Sequence, residues 1–161
     1  MNIFRNPPGP QVERLLTESR LPSADLSTVN LEHFFGCGTP QTPKGVVGLE
    51  IYGTVALLRS LAVATDSRGI GCAKALVAEA ERYARSRGVT ELYLLTTTAE
   101  RFFERLGYRH SVRENAPLAI RETKEFSGLC PASSAFMTKR LPAGTGAPST
   151  PIAESAGGAR R

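Results

Sequence analysis

The chain has 161 residues, 41% of them hydrophobic and 22% charged, enough for one domain with a real core and too few for a two-domain enzyme. No run approaches the ~18 apolar residues of a membrane span, and Met1 to Pro8 lacks the apolar stretch of a secretory leader, so a soluble, cytoplasmic protein without a membrane partner is expected. Lys and Arg number 20 against 15 Asp and Glu, a net charge of +5 that suits an anionic ligand; without a basic block or a basic–aromatic motif, nucleic acid is not expected as a partner.

In chain order, Asn2-Ile3-Phe4 predicts a short strand, which Pro7-Pro8-Gly9-Pro10 interrupts. Val12, Leu15 and Leu16 have helical spacing within 11–20. Residues 21–31 read as a turn that Ser23 or Ser27 can cap, 32–37 as a strand, and 38–44, with Pro40 and Pro43, as a loop. Two apolar strands, 45–52 and 54–63, flank Gly53 and signal a hairpin. The clearest helix covers 71–87, where Ala73, Leu76, Val77, Ala80, Tyr83 and Ala84 form one stripe and Gly88 follows the last turn. Leu92-Tyr93-Leu94-Leu95 predicts a buried strand within 91–96. A short helix over 99–106 turns Phe102, Phe103 and Leu106 inward and closes at Gly107. A strand over 108–113, a helix over 116–126 with Pro117 in its first turn, and a strand over 135–138 follow. From Pro142 the composition shifts to Gly, Ala, Pro, Ser and Thr, which bury too little surface to offset their ordering entropy. A single domain over 1–141 and a disordered tail over 142–161 are expected.

The most informative segment runs from Leu58 to Leu76. An apolar strand enters a short polar turn, and Gly69 and Gly71 open an amphipathic helix. Glycines let backbone N–H groups converge, and the helix N-terminus adds partial positive charge, so the turn predicts an anion cradle flanked by Arg68 and Lys74. A Walker A loop needs Gly before its Lys, where Ala73 stands, and a dinucleotide fingerprint from Gly69 needs Gly or Ala where Lys74 stands. Cys37, Cys72 and Cys130 are far apart and His33 and His110 stand alone, so neither a disulfide framework nor a metal site is expected.

Arg68, Gly71 and Ala73 fill an Arg-x-x-Gly-x-Ala pattern that resembles the acetyl-CoA signature of the GCN5-related N-acetyltransferases (GNAT). Leu61-Ala62-Val63 before it and Phe102-Phe103-Glu104-Arg105-Leu106-Gly107-Tyr108 after it resemble the family's flanking segments, so the likeness runs from about Gly45 to Arg140. It implies an α/β fold of the α+β type, a mixed, mostly antiparallel sheet flanked by helices and splayed at the acetyl-CoA site. Leu57 to Val63, Leu94 to Ala99 and Glu125 to Ser133 look like the acetyltransferases encoded in bacterial arsenic-resistance operons. That likeness implies a cytoplasmic bacterial enzyme with an amino-acid-like or organoarsenical amine as small-molecule acceptor. Family members often pair, so a homodimer is among the expectations.

By the same resemblance, acetyl-CoA is the co-substrate. Leu61, Ala62 and Val63 would hold its pantetheine, with the Ala62 N–H supplying the donor to the thioester oxygen, a contact worth ~2.7–4 kcal/mol. Arg68, Gly69, Ile70, Gly71, Ala73 and Lys74 would hold the pyrophosphate, and Thr97, Phe103 and Arg105 join the cofactor side. Phe103 replaces the tyrosine that many relatives use to protonate the departing thiolate. A thiol titrating near ~8.5 leaves tolerably without help, and Thr97, Thr98 or Tyr108 can substitute through water. For the base, Glu50 and His33 both remain open. Arg59, a cation in an apolar strand, needs a partner, either an acidic group of the substrate or an internal salt bridge. The cysteines read either as soft arsenic ligands or as small core residues. A catalytically silent acetyl-CoA sensor and a protein-modifying acetyltransferase are the alternative functions.

Overall fold

The computed structural model describes residues 1–29 and 31–143. Seven strands form one sheet: β1 (Ile3–Arg5), β2 (Phe34–Gly38), β3 (Pro43–Tyr52), β4 (Val55–Val63), β5 (Glu91–Thr96), β6 (Arg109–His110) and β7 (Ala135–Arg140). Their order is β1-β2-β3-β4-β5-β7-β6, and every neighbouring pair is antiparallel except β4 with β5. That parallel pair needs a crossover, supplied by α2 (Cys72–Ser86). The mixed, mostly antiparallel sheet implied by the family resemblance is the one found.

Helices cover both faces. Leu76, Val77, Ala80 and Ala84 of α2 pack on Phe35, Val47, Leu49, Ala56, Leu58 and Leu92, joined by Phe103 of α3 (Glu100–Arg105). On the other face α1 (Gly9–Glu18) sets Val12, Leu15 and Leu16 against Phe34, Val46 and Ala62. Ile120 of α4 (Leu118–Arg121) lies there with Leu57, Tyr93 and Phe136. Full burial of each such side chain is worth roughly 1.5–3 kcal/mol, which ties α1, α2 and α4 to the central strand β4.

Several boundaries depart from the sequence reading. Helix α1 starts at Gly9, because Pro10 fits a first helical turn. The expected helix over 116–126 is split. Thr123 Oγ1 donates to the Ile120 carbonyl at 2.7 Å and accepts the Phe126 N–H at 3.2 Å, so its hydroxyl takes over bonds that would continue α4. A wide turn over Glu125–Leu129 follows. The strand expected over 108–113 pairs with β7 only at Arg109 and His110; Tyr108 turns inward against Phe103. Residues 144–161 of the expected tail lie outside the described residues.

Two features of β4 shape the site. Its pairing with β5 covers only Val55, Ala56 and Leu57, so the strands diverge from Leu58 onward. Its pairing with β3 jumps from Gly48↔Arg59 to Val46↔Ala62, which leaves Ser60 and Leu61 opposite Val47 alone. This is a β-bulge, and Ser60 carries it at φ +61°, in the left-handed region. The extra residue reverses the strand's alternation. Ala56 and Leu58 face α2 before the bulge, whereas Leu61 and Val63 face it afterwards.

Candidate active site

The splay creates two cavities. The larger, about 560 Å³, brings together Leu61, Ala62, Val63, Arg68, Gly69, Gly71, Ala73 and Lys74, eight of the residues read as cofactor contacts. Ser19, Leu21, Ser67, Cys72, Thr98, Ala99 and Phe102 complete its lining. Gly71 sits at φ +88° immediately before α2, and a Cβ there would meet no neighbour, so the position demands glycine for its backbone conformation. No side chain caps α2, and its first helical bond runs from the Ala75 N–H to the Gly71 carbonyl at 3.0 Å. The N–H groups of Cys72, Ala73 and Lys74 thus head the helix without an intrahelical acceptor, as a helix N-terminus requires. Gly45 on β3 lets this end of α2 approach the sheet, since a Cβ there would come within 2.6 Å of Cys72 Sγ. Arg68 Nε donates to the Val63 carbonyl at 3.2 Å, which fixes the guanidinium over the cleft.

Backbone alternation decides which groups of β4 face the gap. The Ala64 N–H donates to Lys44 on the β3 side at 2.8 Å, and the Ala62 carbonyl also lies on that side, near Gly45. Ala62 therefore spends its backbone groups on β3, and the expected donor to a thioester oxygen is not its N–H. Leu61 and Val63 present their backbone groups to the gap instead.

The smaller cavity, about 190 Å³, lies deeper between the diverging strands. Leu58 to Leu61 line one side and Leu94 to Ala99 with Phe103 the other. Glu125, Cys130, Pro131 and Ser134 form its far wall, and Arg20, Leu21 and Pro22 its rim. The two cavities share Leu21, Leu61, Thr98 and Ala99, so they meet at the bulge.

Arg59 is fully buried, and protein groups surround its guanidinium. Nη1 and Nη2 form a bidentate pair with Asp25 at 2.6 and 2.7 Å, and Nη1 also meets Glu50 at 2.6 Å. Nη2 lies 3.1 Å from Glu125, and Nε donates to Ser60 Oγ at 3.0 Å. Of the two sequence readings, the internal salt bridge is the one present, and no nitrogen of Arg59 is left for a substrate carboxylate. Burial alone would raise the Asp25 carboxyl, but Arg59 outweighs it and holds the group below the usual range. Burial wins at Glu125, whose carboxyl is raised despite Arg59.

Other expected site residues are placed elsewhere. Glu50 lines neither cavity, because Arg59 and the Tyr52 hydroxyl hold its carboxylate. His33 is 3.0 Å from the Tyr83 hydroxyl on the α2 side of the sheet, and burial followed by Arg87 and Arg5 lowers its pKa. Tyr108 donates to Glu81 at 2.9 Å and also faces away. Thr97 and Phe103 line the smaller cavity, not the larger one. Ile70 is 53% exposed, and Arg105 is exposed at the end of α3; neither lines either cavity. Burial and the Cys37 thiol push Cys72 up to about 12, and burial with Glu125 does the same to Cys130. Both are protonated at neutral pH, which favours the core-residue reading over soft-ligand chemistry.

Sequence reasoning missed Glu125, Ser134, Arg20 and Phe102. Phe102 was legible as half of a Phe-Phe pair on a short helix; the others reach the site only through long-range folding.

The comparisons agree with this geometry. The family model described as "Acetyltransferase (GNAT) family" matches residues 4–108. An amino-acid acetyltransferase of Ralstonia nicotianae is 32% identical over 106 residues, 62% of this chain and 22% of the relative. An uncharacterized N-acetyltransferase of Chlorobaculum tepidum is 38% identical over 66 residues, 41% of this chain and 42% of the relative. The match thus spans about a fifth of one curated relative and about two fifths of the other. Among solved structures, N-acetylglutamate synthase from Neisseria gonorrhoeae, complexed with coenzyme A and N-acetyl-glutamate, superimposes with TM-score 0.74 at 20% identity, over 88% of this chain and 35% of that one. Rv2747 from Mycobacterium tuberculosis, in complex with CoA, gives TM-score 0.74 at 18% identity over 88% and 100%. With a family match across most of the domain and the same fold around a glycine-headed helix and a splayed sheet, the chain belongs to the GNAT acetyltransferase family.

Proposed function

We propose that the protein transfers the acetyl group of acetyl-CoA to the amine of a compact, amino-acid-like acceptor. The observation that carries this reading is the meeting of two cavities at the β4 bulge. The larger has the charge and backbone donors for a pyrophosphate and pantetheine: Arg68, Lys74, the head of α2, and the gap-facing groups of Leu61 and Val63. Acetyl-CoA would supply the activated acyl group; the protein's part is to hold it, to aim the acceptor amine at it, and to exclude water.

The acceptor cavity, about 190 Å³, is smaller than the ~300–1,000 Å³ of drug-sized ligands, which favours a small molecule over a protein tail. Arg20, exposed at its rim, is the cation available to an acceptor's acid group, the role open to Arg59 on sequence alone. The name of the Ralstonia relative supports an amino-acid-like acceptor. The three segments that resemble arsenic-resistance acetyltransferases extend the reading to an arsenical acid group on that acceptor and to a bacterial cytoplasm.

Calorimetric titration with acetyl-CoA, then thiol release with a panel of amino acids and amino-acid-like arsenicals, tests the proposal. Micromolar binding with acceptor-dependent release is expected. Binding without release above background would replace the transferase with an acetyl-CoA sensor, and no binding would overturn the cofactor assignment.

A further inference from the structure

Acetyl transfer to an amine needs a group that takes the amine's proton, and the sequence candidates Glu50 and His33 lie outside the acceptor cavity. We propose that Glu125 takes that proton, with the Ser134 hydroxyl orienting the amine beside it. The inference rests on the transferase reading above.

Two independent observations support it. Among the described residues, Glu125 is the only carboxylate lining the acceptor cavity. A carboxylate offers roughly four acceptor positions. Oε2 faces Arg59 at 3.1 Å and Oε1 accepts the Cys130 thiol at 3.3 Å, which leaves capacity for an ammonium. The second observation is Ser134 on the same wall. It is 6% exposed, and its Oγ is a buried side-chain polar atom with no hydrogen-bond partner. Burying a hydroxyl unpaired is costly, and a ligand in this cavity would satisfy it.

The surrounding charge suits an incoming cation. Arg59 from β4 is met by Asp25 from the turn after α1, Glu50 from β3, and Glu125, one guanidinium against three carboxylates, with Lys124 acting on Asp25 and Arg20 at the exposed rim. Cys130 is a protonated thiol, and Arg113 is directed elsewhere, onto the Ser134 carbonyl at 2.9 Å and the Phe126 ring. Burial raises the Glu125 carboxyl, Arg59 and Cys130 oppose, and Asp25 and Glu50 add to the rise. A carboxylate raised in this way is a better match to an ammonium than one in water.

The step balances. The acceptor ammonium gives one proton to Glu125, which releases it to water. The amine lone pair then forms the C–N bond at the thioester carbonyl carbon. The C–S bond breaks with its electron pair on sulfur, and the second nitrogen proton accompanies the thiolate to give the thiol.

Glu125→Gln keeps the side-chain volume and tests the role. Acetyl-CoA affinity by calorimetry should stay within threefold. With the amino-acid panel, kcat should fall about 10²–10⁴-fold and the acid limb of its pH profile should vanish. Ser134→Ala should raise the acceptor KM about tenfold with kcat nearly preserved, since it positions the amine and takes no proton. If circular dichroism shows Glu125→Gln unfolded, Glu125→Asp decides: a lowered kcat with a displaced acid limb supports the role, and an unchanged profile overturns it. A folded Glu125→Gln protein with kcat within threefold and the same acid limb overturns the inference while the transferase stands. Acetyl-CoA binding without acceptor-dependent thiol release in the unaltered protein overturns the transferase reading, and this inference with it.

Discussion

Arg59 gathers one carboxylate from each of three chain segments: Asp25 follows α1, Glu50 lies on β3, and Glu125 precedes β7. The guanidinium fastens the rim, the far wall and the central strand of the smaller cavity to one another, and its Nε holds Ser60 at the bulge. Removing one partner of a buried pair leaves charge unmatched, so Asp25→Asn should lower stability by about 3 kcal/mol at neutral pH. The sign of its pH dependence follows from Asp25's depressed folded-state pKa. The contribution is fully present above the unfolded pKa of ~3.9 and is lost as pH falls through the lower folded value. Urea unfolding should therefore show a constant difference between the two proteins from pH 7 to about 5, narrowing below about pH 4.

Helix α2 has two parts at the level of elements: its stripe anchors the sheet, and its head is the proposed anion cradle. Gly71→Ala should cost about 1–2 kcal/mol through the left-handed backbone alone, because its Cβ meets nothing. Acetyl-CoA affinity should fall with it, whereas a purely steric account predicts no change in either; thermal melting and calorimetry read both. The stripe, the glycine-headed turn into α2, the hairpin at Gly53 and the inward Phe103 were legible in the sequence because each is set by neighbours within a few turns. The helix over 116–126 was misread because apolar spacing does not report that Thr123 bonds its own backbone. The backbone role given to Ala62 failed because a motif does not state the phase of a strand. Glu125, Ser134 and Arg20 were invisible as a group because no local rule relates positions roughly a hundred residues apart. Arg59 was readable as a cation that needs a partner, but not as one with three.

At the scale of the whole molecule, the sheet is continuous from β1 to β6 and opens only on one side of β4, beyond Leu57. The two cavities therefore occupy the same gap from different depths, and the proposed donor and acceptor sites with them. On the proposed reading, binding at the outer cavity is an encounter between exposed cations and a polyanion, whereas the inner one combines one exposed cation, Arg20, with buried, weakly screened charge. Raising salt from about 0.05 to 0.5 M should weaken acetyl-CoA binding several-fold, with a smaller salt dependence in Lys74→Ala, while acceptor KM, with Arg20 as its one exposed cation, changes less. Equal sensitivity of both constants would contradict this division.

The bulge at Ser60 makes β4 two half-strands out of phase, and chain length becomes part of the site's specification. Deleting Ser60 alone would remove the extra residue and restore regular alternation, with Arg59 followed directly by Leu61, so Leu61 and Val63 would keep the α2 face and Ala62 the α1 face. The backbone groups that face the gap would stay the same, and only the left-handed kink would be lost. A deletion of Ser60 should therefore leave the protein folded and able to bind acetyl-CoA, and one glycine inserted beside Gly53, in the turn between β3 and β4, should be tolerated too. Deleting Leu58 should instead abolish binding, because it turns Arg59 away from its three carboxylates. An insertion–deletion scan across residues 53–62, read by cofactor binding, should find tolerance at the turn and at the left-handed serine and loss between them.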